Sequence, residues 1–118
     1  MSTQEIANRL VELCRHGNWR QAQDELYSQD AASIEAEPSP AFERVTKGIE
    51  GLHEKTRIWN EMVEEMHGIE VSDPLIADAA FAVTMKMDVT MKGRGRIAFN
   101  ELCSYKVKEG KIVEESFS

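Results

Sequence analysis

Cysteine is scarce in this chain. Cys14 and Cys103 are the only two, one in a helical pattern and one in a strand pattern, and they lack the paired spacing of a zinc or redox motif. Both read as reduced core thiols. Histidine is equally thin: His16, His53 and His67 lie too far apart for a metal site, which needs ligands clustered at short helical or strand spacing. No metal and no cofactor is expected. Positive charge is in deficit, with 14 basic against 21 acidic residues and a net charge of −7, so the basic patch of a nucleic-acid or anionic-membrane binder is missing. No stretch approaches the ~20 apolar residues of a membrane span, and Met1 leads directly into an amphipathic pattern rather than a signal core. A cytoplasmic protein is expected. Proline occurs three times, twice in Pro38-Ser39-Pro40, where it forbids regular structure, and once at Pro74. Internal repeats and low-complexity tracts are absent.

What is present suits one domain over residues 1–118. Hydrophobic content of 42% can bury a single core without disulfides. The clearest pattern runs from Ala79 to Ser118. Phe81, Val83, Met85, Met87, Val89 and Met91 alternate with mostly polar residues, the period of a strand with one face inward. After Gly93-Arg94-Gly95 a second run follows, Ile97, Phe99, Glu101, Cys103, Tyr105 and Val107, and it turns at Glu109-Gly110 into a third strand.

Helical signals dominate earlier. Ser2 and Glu5 have capping-box spacing, and Ile6, Leu10, Leu13 and Cys14 share a face until Gly17. Asn18 starts a second helix with Trp19, Ala22, Leu26 and Tyr27 inward, broken by Ser28-Gln29-Asp30. A short strand at residues 33–36 and a loop crossing the molecule lead to the longest helix. That helix spans about residues 47–66, carries Ile49, Leu52, Trp59, Met62, Val63 and Met66 as its stripe, and ends at His67-Gly68. Ile69 to Ser72 and Leu75-Ile76 suggest a strand interrupted at Pro74, at an edge or a bulge. The order predicts an α+β domain in which a helical pair and one long helix cover a curved antiparallel sheet.

Register sharpens the site. A three-residue loop at Gly93 to Gly95 pairs Met91 with Ile97, Val89 with Phe99 and Met87 with Glu101. A two-residue turn at Glu109-Gly110 pairs Val107 with Ile112, Tyr105 with Glu114 and Cys103 with Ser116. Glu101 is then a carboxylate in an apolar row, where burial is costly without a partner. It reads as an acid of raised pKa poised to move a proton, the candidate catalytic residue. It also reads as a structural glutamate bonded to Tyr27, Trp59 or a backbone group, or as one turned outward by a bulge. Tyr27, Trp59, Met62, Met85, Met87, Phe99 and Cys103 are the candidate lining of an apolar pocket for a small hydrophobic ring compound. His53 lies at the rim or in solvent, and His67 at a helix C-terminus. On the opposite face, Leu102, Val113 and Phe117, with Leu102 paired to Phe117, make an apolar patch suited to a homodimer.

Three segments carry a family likeness: Glu25-Leu26-Tyr27-Ser28-Gln29-Asp30 after the helical pair, Val45-Thr46-Lys47-Gly48-Ile49 before the long helix, and Tyr105 to Glu115 across the last hairpin. With these the whole chain resembles the SnoaL-like branch of the nuclear-transport-factor-2-like superfamily, a bacterial group among its members. The resemblance implies a cone-shaped α+β fold. It also implies sheet-face dimers and either acid/base chemistry of cyclase, isomerase or hydrolase type or a non-catalytic dimerisation or assembly module with a filled core. No catalytic signature of the family matches. Asp88 is in the polar phase of its strand, Asp30 ends a helix, and Arg94 and Arg96 lie at a turn, so neither an acidic Asp nor an Asp-Arg-Asp set is in place.

Overall fold

Ser2 closes the first helix as its spacing requires. The computed structural model describes the whole chain, residues 1–118, and in it the Ser2 hydroxyl accepts from the Glu5 amide at 3.1 Å while the Ser2 amide donates to Glu5 Oε1 at 2.9 Å. Helix α1 covers Thr3–Arg15, and Gly17 at φ +69 turns the chain into α2, Trp19–Leu26. A bidentate pair from Arg9 to Glu25, at 2.8 and 2.9 Å, ties the two helices together. Strand β1, Tyr27–Ile34, begins with no linker, so Ser28 to Asp30 continue into a strand instead of breaking a helix. A turn-forming loop built around Ser39 and Phe42 returns the chain to β2, Val45–Lys47, beside β1 rather than across the molecule.

Helix α3 is Ile49–Met62, shorter at both ends than the expected span of about 47–66. Residues 63–71 form β3, Val63–Val71, along the edge of β5, Ala80–Met91, with the two-residue β4, Leu75–Ile76, pairing further along β5. The reason is tertiary. Met62, Val63 and Met66 fit a helical period locally, but the long β5 edge would otherwise expose unpaired backbone groups, and pairing satisfies them. His67 is accordingly a strand residue, with Nε2 2.6 Å from Thr90 Oγ1.

Strands β6, Gly95–Lys108, and β7, Lys111–Phe117, complete a seven-stranded sheet in the order β2-β1-β7-β6-β5-β3, with β4 beside β5. It is open and mixed, because β1 and β7 run parallel. Helix α1 packs over β3 and β5, and α3 over β1. The core between the helices and the sheet holds Ile6, Leu10, Leu26, Leu52, Val83 and Val89. No helix is long and apolar enough to cross a membrane.

Two registers differ from expectation. The β5–β6 loop is Lys92-Gly93-Arg94, with Gly93 at φ +74, and it pairs Met91 with Gly95, Met87 with Phe99 and Met85 with Glu101. This slip of two residues preserves which face each side chain takes. Between β6 and β7 the hairpin opens as expected, Val107 opposite Ile112, but Lys106 then pairs with Glu114, leaving Val113 as the extra residue of a bulge. Beyond it every β7 side chain changes face. Tyr105 meets Glu115 and Cys103 meets Phe117, so Glu115 and Phe117 point inward where Glu114 and Ser116 were expected.

Candidate functional site

The helices and the concave side of the sheet line a cavity of about 190 Å³ that opens to solvent, and thirteen of its nineteen lining residues are hydrophobic. Strand β5 contributes Met85 and Met87, and β6 contributes Phe99 and Glu101. From the helices come Trp19, Gln23, Lys55 and Trp59, and Phe42 reaches in from the β1–β2 loop. Trp59 meets Phe99 edge to face, with ring centroids 5.9 Å apart. Each of these positions follows from a local period: alternate residues on the strands, and residues three or four apart on α3.

One side of the wall is polar and linked. Glu115, buried at 6% exposure, accepts from the Tyr27 hydroxyl and, at 2.6 Å, from the Ser33 hydroxyl. Lys55 donates to Ser33 Oγ at 2.8 Å and to Glu35 Oε2 at 2.7 Å, and its ammonium sits 5.5 Å from the ring centres of both Phe42 and Phe117. Burial raises the Glu115 pKa, opposed by those two hydroxyls and by Lys55. Burial beside this carboxylate lifts the Tyr27 phenol well above its ordinary range. Lys55 and the hydroxyl donors are what make a buried carboxylate tolerable here.

Glu101 stands apart from that network. Half-buried in the wall, it has no hydrogen-bond donor, and its pKa is pushed up to about 7, first by desolvation and then by the charges of Glu35 and Glu115, with Lys55 opposing. A carboxyl group near this value presents both an acid and a base at neutral pH.

Of the candidate lining residues, Tyr27, Trp59, Met85, Met87, Phe99 and Glu101 share this wall. Met62 and Cys103 do not reach it: Met62 packs against the core at the end of α3, and Cys103 is fully buried in β6. Both cysteines are free and buried, and burial raises both thiol pKa values. His53 sits away from the wall, its Nε2 3.0 Å from Asp24. Arg96 pairs with Asp88 on the outer face at 2.8 and 3.0 Å. The polar residues that sequence reasoning missed are Gln23, Ser33, Glu35, Lys55 and Glu115, and the aromatic ones are Trp19, Phe42 and Phe117, the last of which was expected on the opposite face. A signal for Glu115 was present, because a regular ladder would turn the polar side chains of Glu114 and Ser116 onto the apolar face, and a single bulge brings Phe117 there instead. Nothing in the sequence marks Lys55 or Glu35, which the loop and α3 bring together.

Three helices on one side of an open mixed sheet, with a cavity at its concave face, define a nuclear-transport-factor-2-like α+β cone. The chain belongs to the SnoaL-like domain family, which it matches over residues 1–118. It is similar to a Mesorhizobium loti protein named as a candidate SnoaL-like polyketide cyclase and, in the same description, as a carbohydrate phosphatase. The two are 38% identical over 100% of this chain and 99% of that one, with a TM-score of 0.91. Two further structures share the fold alone. A Catenulispora acidiphila protein with a ketosteroid isomerase-like fold, in complex with trimethylamine, is 14% identical over 99% of this chain and 86% of that one, TM-score 0.75. A Burkholderia pseudomallei NTF2-like protein of unknown function is 10% identical over 100% and 91%, TM-score 0.79. No functionally curated protein matches the chain.

Proposed function

We propose that this protein binds a small, mainly apolar ring compound in the cavity and that Glu101 moves a proton on it. The observation that carries this reading is a carboxyl group with no donor of its own, in the wall of an otherwise apolar cavity. The buried glutamate that does serve the fold, Glu115, has its partners. Size narrows the ligand. An apolar cavity of about 150 Å³ accommodates benzene, so 190 Å³ has room for a single six-membered ring with a substituent. The Mesorhizobium loti relative is named for a cyclase and for a phosphatase, and the first of these is in keeping with chemistry in which protons move on a ring. Such a step needs a group that both accepts and returns a proton at neutral pH, which Glu101 supplies.

Trp19 and Trp59 are the only tryptophans, and both line the cavity, so their emission reports on its contents. Titration with benzyl alcohol should give a saturable change in that emission. Ala22→Phe, which places a ring inside the cavity, should abolish the change while the protein still melts cooperatively. Glu101→Gln should keep saturation but remove the dependence of affinity on pH near neutrality. An emission signal that never saturates, or one that Ala22→Phe leaves intact, defeats the proposal.

A further inference from the structure

The β1–β2 loop borders the cavity yet is tied to the rest of the fold at few points. Its stem is closed by the Glu35 amide, which donates to the Arg44 carbonyl at 2.7 Å, directly after the last ladder pair, Ile34 with Val45. Its tip is closed by the Ser39 amide, which donates to the Phe42 carbonyl at 2.9 Å, and by the Phe42 amide, which donates to Ser39 Oγ at 3.1 Å. Every hydrogen bond made by residues 36–43 therefore stays inside the loop. Pro38 and Pro40 stiffen the tip, and residues 36–40 and 43–44 are exposed. Between them Phe42 is the one side chain that enters the cavity wall. A stiff tip on a narrow stem moves as a unit, with its freedom at the stem.

Lys55 on α3 holds this unit down. It donates to Glu35 Oε2 in the stem at 2.7 Å and to Ser33 Oγ in β1 at 2.8 Å, and its side chain is only 14% exposed, so it is the fixed side of the contact. Its third N–H has no oxygen partner. The ring centres of Phe42 and Phe117 each lie 5.5 Å from Nζ, within reach of the attraction between a cation and a ring. This is the one polar tie between the loop tip and the body of the protein, and a contact of that strength breaks and re-forms thermally.

We infer that residues 36–43 form a hinged flap over the cavity, with Phe42 as its plug and Lys55 as its latch. When the flap swings out, the Phe42 ring leaves the wall and vacates a space the size of the single ring that the cavity has room for. The cavity already opens to solvent, so the flap governs how fast a ring compound enters and leaves rather than whether it fits. That consequence rests on the cavity being a ligand site, whereas the motion itself is measurable in the empty protein.

Two measurements test the flap. Backbone relaxation dispersion of the empty protein should show residues 36–43 exchanging together on the microsecond-to-millisecond scale of such closures, with β1 and α3 quiet beside them. Release of benzyl alcohol, read from the line shapes of the protein's NMR signals, should be about fivefold faster in Phe42→Leu, which keeps an apolar plug but loses the ring, and near wild type in Phe42→Tyr. Pro38→Gly combined with Pro40→Gly, at positions outside the cavity wall, should also quicken release, because glycine adds freedom to the open flap. A static wall predicts no response to this pair. Flat dispersion across the loop, or release that the glycine pair leaves unchanged, overturns the flap, and saturable binding then leaves the ligand site standing. If benzyl alcohol never saturates, the ligand site fails and the dispersion of the empty protein alone decides the flap.

Discussion

Glu101 and Glu115 both project from the inner face of the sheet, and their surroundings assign them different work. Of the readings open to Glu101 in the sequence, the glutamate that anchors a core network through Tyr27 is in fact Glu115. That leaves Glu101 as a carboxyl group whose ionisation the fold resists, and this has a thermodynamic consequence with a definite sign. Its pKa in the folded state, about 7, lies above the ordinary value of 4.5. Between these limits the folded protein keeps a proton that the unfolded chain releases, so stability falls as pH rises through that window and the loss is complete above it. Glu101→Gln cannot ionise and escapes the loss. Relative to wild type it should gain nothing at about pH 4 and about 1–2 kcal/mol at about pH 8, a figure reduced from the full shift because the group is partly exposed. Glu115 is coupled to Glu101 through charge, so the substitution also relieves Glu115, and the gain at the higher pH belongs to the pair. Thermal melts across this range decide the matter, since an advantage independent of pH would mean that burial does not perturb Glu101.

At the scale of elements, periodicity was informative where one face of an element meets the core and silent where two elements compete for the same residues. The capping box of α1, the start of α2 at Asn18 and the inward rows of β5 and β6 could all be read from spacing. The β5–β6 rows survived an error in register because the hairpin slipped by two residues, an even number. Residues 63–66 could not be assigned locally, since their apolar spacing suits both a helix and a strand and the open edge of β5 decides. The Val113 bulge was hidden for a related reason: a one-residue insertion changes the face of everything after it, and only the parallel contact of Ser33 in β1 with Glu115 shows that the change is used. The turn that starts β7 is also open to test. Glu109 and Gly110 have φ values of +52 and +74, and together they form a two-residue hairpin loop between Lys108 and Lys111. Positive φ is costly for glutamate, whereas Asn-Gly is the preferred pair for such loops. Glu109→Asn should therefore stabilise the protein by about 0.5–1 kcal/mol. A lower midpoint in urea than wild type would show that the Glu109 side chain supports the turn in some other way.

For the molecule as a whole, the bulge also decides what the outer surface can do. The homodimer suggested by Leu102, Val113 and Phe117 loses its largest member, because Phe117 faces the cavity and Leu102 exchanges backbone hydrogen bonds with Ser118 instead. Leu102 remains, 44% exposed, among Thr84, Asn100, Ser104 and Ser116. Leu75, 81% exposed and paired with Ala82, is the other exposed leucine of this face; two such residues are ordinary for a protein surface, and stable interfaces bury roughly 800 Å² on each partner. The sheet edges offer no substitute: β2 is only three residues long, and β3 carries Glu64, Glu65 and Glu70, a pattern that discourages pairing with another chain. A net charge of −7 adds mutual repulsion between copies. The homodimer is thus a proposal that rests on Leu102 and the half-buried Val113, and association through them should be weak. Sedimentation velocity should show a monomer at low micromolar concentration, with a concentration-dependent dimer that Leu102→Lys removes. A tight dimer that tolerates Leu102→Lys would move the interface off this face, and the rim of the cavity, where Phe42 and Lys55 meet, would become the surface to examine next.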